Sequence, residues 1–136
     1  MEATKVLLRG HPVDMFAPLK EVMRERIDEE LALLTDLGDH EHVARELISL
    51  EVEATPGCIS HCVIAQYLMK RISDLIWVEI NAHDGDVAAA VLIRGRTEMV
   101  HTKLSRFLQN FADAFDLHAY PDLEGSDCNC EWFTEV

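Results

Sequence analysis

The sequence is short of cations: twelve Lys and Arg stand against twenty-five Asp and Glu, for a net charge of −13. Affinity for nucleic acid comes from Lys and Arg neutralising phosphates, and adhesion to an anionic membrane draws on the same side chains. Neither fits this balance, so direct nucleic-acid and membrane binding are excluded as expectations. Long apolar runs are missing as well. The longest stretch free of charged side chains, 54–69, is interrupted by Pro56, Gly57, Ser60, His61 and Gln66. A membrane span needs about 18–20 apolar residues in a row. The opening Met-Glu-Ala-Thr-Lys has neither the basic start nor the apolar stretch of a secretory signal. A cytoplasmic protein is expected, in which the four cysteines are thiols or metal ligands rather than disulfides. No phosphate-cradling glycine loop, nucleophile elbow or role-defining carboxylate pair occurs, so no motif names a reaction.

What is present suits one folded domain: 136 residues, 49% of them apolar and 27% charged. Thr4–Arg9 reads as a short strand ended by Gly10 and His11-Pro12. Leu19, Val22, Met23, Ile27, Leu31 and Leu34 recur at helical spacing, which predicts a helix over 17–35 with Glu21, Glu25, Asp28 and Glu29 outward. Gly38 stops it, and Asp39 caps a second helix with Val43, Leu47 and Leu50 or Ile48 inward. Thr55-Pro56-Gly57 breaks the chain, and a third helix runs from Ser60 through Ile72. Apolar residues cover most of its circumference, which predicts a central position.

Leu75–Ile80 and Val87–Ile93 are apolar runs of strand length around Asp84-Gly85, a strong hairpin signal. Gly95 ends the second strand. Thr97 is expected to cap a long fourth helix with Val100, Leu104, Phe107, Leu108, Phe111 and Phe115 on one face. Such a phenylalanine stripe is helix core far more often than a ligand site. Pro121 ends that helix. The expected fold is therefore α+β: about four helices with a small antiparallel β-hairpin sheet, in one domain over 1–121, followed by an acidic, Cys-containing tail over 122–136.

The negative charge is uneven. Residues 20–53 carry eleven acids and four bases, 54–120 seven and six, and 121–136 five acids and no base. A solvated acidic face that keeps the chain soluble is one reading. The other is a surface for a basic protein partner, with Glu25, Glu29 and Glu30 steering the encounter and Trp132-Phe133 anchoring the tail. Thr134-Glu135-Val136 also matches the loose C-terminal pattern that PDZ domains capture.

Cys58-Ile-Ser-His61-Cys62 and Cys128-Asn-Cys130 form the sharpest cluster of chemistry. Tetrahedral zinc takes four N/S ligands supplied by closely spaced pairs from two segments. Such a site at Cys58, His61, Cys62, Cys128 and Cys130 would pin the tail to the body. Three residues separate Cys58 from Cys62 and one separates Cys128 from Cys130, against the two to four usual in structural sites. Otherwise Cys62 is a small apolar helix residue and the tail thiols are free. A thiolate nucleophile at Cys62 gains from a helix N-terminus, but His61 points about 100° away along a helix and serves it poorly. Asp39-His40-Glu41-His42 splits its ligand types between faces. His83-Asp84, the pair used by metal-dependent phosphohydrolases, is better explained here by turn chemistry. His11, His101 and His118 have no evident partners, and all of these histidines read as solvated.

Two stretches, Cys62-Val-Ile-Ala-Gln-Tyr-Leu68 and Phe111-Ala-Asp-Ala-Phe-Asp-Leu-His-Ala-Tyr-Pro-Asp-Leu123, carry a family likeness. They resemble small uncharacterised proteins of actinobacteria and their phages, which pair a Cys-Pro-Ile-Ala-type helix start with a Phe-Asp-x-x-x-Tyr-Pro-type helix end. The resemblance covers about a third of the chain and departs at His61-Cys62-Val63 and in the Cys-rich tail. It implies a bacterial or phage source and no activity, so no site residue carries over. The expected function is thus that of a small acidic binding or regulatory protein acting through a protein partner. It is expected to be a non-enzyme, with zinc at the Cys/His cluster as the alternative and the one cofactor in view. A homodimer in which a second copy completes the apolar central helix is a further expectation.

Overall fold

The computed structural model describes residues 17–58, 62–81 and 84–125. The Thr4–Arg9 strand, the Ser60 cap, His61, His83 and all of Cys128, Cys130, Trp132 and Phe133 lie outside them. The first helix, α1 (Ala17–Thr35), has the predicted bounds. Ile27, Leu31 and Leu34 are buried, while Glu25 and Glu29 are exposed. Thr35 closes α1 by donating its Oγ1 hydrogen to the Leu31 carbonyl, and the same oxygen meets Ser105 at 3.1 Å.

Asp39 caps α2 (His40–Ser49) by accepting the His42 backbone N–H at 2.8 Å, and Val43, Ala44 and Leu47 enter the core. Helix α3 (Val63–Arg71) begins after Cys62, whose backbone is extended and whose side chain makes no capping hydrogen bond. Val63, Ile64, Ala65 and Leu68 are fully buried, so α3 is central as its composition predicts. Its apolar girth is covered within the chain, which removes the reason for a second copy to complete it.

Three strands follow: β1 (Leu75–Asn81), β2 (Asp86–Ile93) and β3 (Arg96–Lys103), paired antiparallel in the order β1-β2-β3. The fold is α+β, as expected. The Asp84-Gly85 turn forms between β1 and β2, with Gly85 at φ +82°. A Cβ at Gly85 would meet Gln109 Nε2 at 2.7 Å, so the turn and the last helix approach closely.

The third strand corrects the expectation of one long helix from Thr97. Arg94 and Gly95 both have positive φ, 53° and 80°, so they form a two-residue turn of the type that matches strand twist. The chain folds straight back, and Thr97 pairs with Leu92 in the ladder rather than capping a helix. Helix α4 starts only at Arg106 and runs to Asp116, capped by Ser105, which accepts the Leu108 N–H at 3.2 Å. Leu108, Phe111 and Phe115 of the predicted stripe are fully buried, with Phe107 at the core margin.

The start of the expected tail belongs to the body. Pro121–Leu123 is a turn of 3₁₀ helix with Leu123 fully buried. The backbones of Ala54 and residues 123–125 exchange hydrogen bonds of 2.8 and 3.2 Å. One face of the sheet lines the core through Val78, Ile80, Val87, Ala89, Val91 and Val100. Helix α1 crosses that side along β3, tied by Lys20 to Glu98 and by Thr102 to Asp28, and α3 packs against β1.

Candidate functional site

Residues 17–53 carry eleven acids and four bases, most of the net negative charge of the described residues. Arg24 is held between Glu21 and Asp28, Arg45 faces Glu41, and His42 faces Asp39. Glu25 and Glu29 lie on the solvent side of α1, and among the described residues neither is engaged in an ion pair within 4 Å. They point outward beside Val22 (59% exposed) and Leu33 (54% exposed), so carboxylate and apolar surface alternate along one helix face.

Glu30 is not part of that face. It follows Ile27 by three residues and precedes Leu34 by four, which turns it inward, and only 4% of it is exposed. Its carboxylate accepts hydrogen bonds from the Tyr67 hydroxyl at 2.8 Å and from Arg71 Nε at 3.0 Å, with Arg26 Nη2 at 3.5 Å. Burial opposes ionisation of Glu30. The Arg71 and Tyr67 hydrogen bonds and the charges of Arg71 and Arg26 outweigh it and hold the carboxyl below its ordinary value. The same carboxylate, with burial, raises the Tyr67 phenol. Glu30 therefore links α1 to α3 and cannot steer a partner.

Beside this cluster a groove of about 180 Å³ opens between α1, α2 and α3, lined by Leu33, Leu34, Leu37, Glu46, Tyr67 and Arg71. Leu33 and Leu37 leave its rim partly exposed, and Glu46 adds a carboxylate. The arrangement can seat an apolar side chain next to negative charge. Sequence reasoning missed it, because the groove needs three helices to meet.

Of the five expected zinc ligands the described residues hold two. Cys58 and Cys62 are both buried, and Cys58 lies close enough to add to the forces that disfavour ionisation of Cys62. Burial pushes the Cys62 thiol up to about 12, with Asp116 adding to the rise. At neutral pH it is a thiol, which removes the thiolate nucleophile. Burial also raises the Asp116 carboxyl, although Asp116 accepts the Gly57 N–H at 2.8 Å. Among the described residues no three His, Cys, Asp or Glu side chains converge as a metal-binding group.

Of the described histidines, His42, His101 and His118 are exposed as expected, and His40 is not. His40 meets the Phe107 carbonyl at 3.1 Å through Nε2 and packs on Phe107 and Phe111, with ring centres 4.8 and 5.5 Å away. His118 Nδ1 lies 3.0 Å from Glu124. Asp84 does the turn work proposed for it, accepting the Asp86 N–H at 3.1 Å. Comparison with protein-family models, characterised proteins and solved structures finds no match. Among the described residues no helix is long and apolar enough to cross a membrane.

Proposed function

We propose that this chain is an acidic binding or regulatory protein that docks a basic protein partner on the outer face of α1 and α2. The observation that carries the reading is the pair Glu25 and Glu29, exposed and outside the ion pairs among the described residues, on a helix face that also presents Val22 and Leu33. Unpaired surface carboxylates raise the encounter rate with a cationic partner, and an apolar seat slows its departure. The Leu33–Leu37 groove supplies such a seat for an apolar residue set among lysines and arginines. In this reading Trp132 and Phe133 act as a second anchor, and the protein works in the cytoplasm.

A labelled deca-lysine peptide tests the electrostatic half. Glu25→Lys with Glu29→Lys should weaken its binding about fivefold, from on the order of 0.5 kcal/mol per reversed surface charge, and should flatten the salt dependence. The comparison is Asp113→Lys with Asp122→Lys, which reverses two exposed acids elsewhere. If both pairs weaken binding equally, attraction is a matter of net charge alone and the α1–α2 face has no special part.

A further inference from the structure

Among the described residues, the face of the sheet turned away from α1 and α3 carries the largest gathering of exposed apolar side chains. Strand alternation sends Trp77, Ala90 and Met99 to this side in one cross-strand row, with Glu79, Ala88 and His101 beside it and Leu92 opposite Thr97. An irregularity between Leu75 and Trp77 leaves Ile76 outside the pairing and adds it to the same surface. Trp77 is 42% exposed, Ile76 46%, Leu92 49% and Met99 44%. The central strand contributes Ala88 and Ala90 to the middle of the face, with Leu92 toward one end, so its centre is low enough for a second sheet to pack closely on it.

Its charges are arranged as well. At one end stands Arg94 of the β2–β3 turn, while Arg96 turns to the covered side beside Glu98; at the other end stand Glu79, which accepts the Trp77 indole N–H at 3.0 Å, Asp84 and Asp86, with Lys103 paired to Asp86. A twofold axis through the Ala90–Met99 centre lays the arginine end of one copy over the carboxylate end of the other. Such a contact is isologous, each end meeting its complement twice. Residues 20–53 carry eleven acids against four bases, and their helix α1 covers the sheet's other side, so two chains of net charge −13 meet less repulsion from that segment when they approach here.

We propose that the outer face of β1-β2-β3 is a homodimer interface, with Trp77 and Met99 at its centre and the two charged ends crossed. This goes beyond the partner-docking reading and uses a different surface.

The test is sedimentation of the full chain across a concentration series, read with Trp77 fluorescence in a Trp132→Phe background, where Trp77 is the sole tryptophan. The expected result is a concentration-dependent shift from 15.4 kDa to twice that mass. Trp77 emission should turn blue and resist iodide quenching over the same range. Met99→Lys, and separately Trp77→Arg followed by mass alone, should move the midpoint up about tenfold or more, whereas Val22→Lys on α1 should leave it in place. Circular dichroism melts confirm that each variant is folded. A monomer at every concentration overturns the proposal. Shielding of Trp77 in that monomer would show that another segment of the same chain covers the face. A dimer indifferent to Met99→Lys and Trp77→Arg also overturns it, by placing the contact elsewhere.

Discussion

Glu30 shows what one inward carboxylate does to a helix that otherwise sheds its acids into solvent. Its bonds to Tyr67 and Arg71 tie α1 to α3 across a separation of about forty residues. Removing one charged hydrogen bond of this kind costs about 1.5–3 kcal/mol, so Tyr67→Phe should lower unfolding free energy by that amount in urea titration. The acid side follows from the sign of the shift. A carboxyl held below its ordinary value stabilises the fold above that value, and the contribution fades as pH falls through the lower, folded-state value. Asp116 is shifted the other way and gains on protonation, which offsets part of the loss. Glu30→Gln should therefore flatten the decline in stability below about pH 4.5, measured as melting temperature against pH. A variant that follows the parent's acid limb would show that Glu30 does not drive it.

At the scale of elements, β3 is the decisive feature, and hydrogen exchange can check it. Residues flanking a two-residue turn face each other as a hydrogen-bonded pair, so the amides of Arg96, Glu98, Val100 and Thr102 should point toward β2. Those of Thr97, Met99 and His101 point off the edge. Exchange should alternate along β3, slow on the first set and fast on the second; uniform slowing over 97–103 would instead mark a helix.

The helices and the first hairpin were legible because their signals are local: Asp39 as a cap, the 3–4 spacing of α1, and Asp84-Gly85 between two apolar runs. The third strand was not, for two reasons. Val100 precedes Leu104 by four residues and so extends the α4 pattern backward, although in the fold it serves the two-residue period of a strand. The turn that reverses the chain is Arg94-Gly95, without the Asn or Asp that usually announces such a turn. For the site, the exposed pair Glu25 and Glu29 could be read from helix periodicity. Glu30 could have been separated from them by its spacing from Ile27 and Leu34. The groove, the His40–Phe107 contact and the open sheet face depend on contacts between distant segments, which no local pattern encodes.

For the whole molecule, the body closes around residues that composition assigned to a tail. Leu123 fills the core, and the backbone after it is stitched to Ala54. Leu123→Ala in the full chain should cost about 2–5 kcal/mol, the range for emptying a buried leucine site. Chemical denaturation would read this as a lower midpoint with an unchanged slope. A cost near zero would mean that the last turn hangs on the surface.

The placement of α1 over one side of the sheet has a further consequence for how the molecule turns in an electric field. Among the described residues the exposed Glu25 and Glu29 lie on one side and a nearly neutral sheet on the other, so this body carries a dipole roughly normal to the strands. On a cationic resin it settles with α1 against the beads and the tryptophan row toward the liquid. A chain immobilised that way keeps its sheet free for whatever approaches next, so adsorption and assembly can proceed on opposite sides of the same small domain.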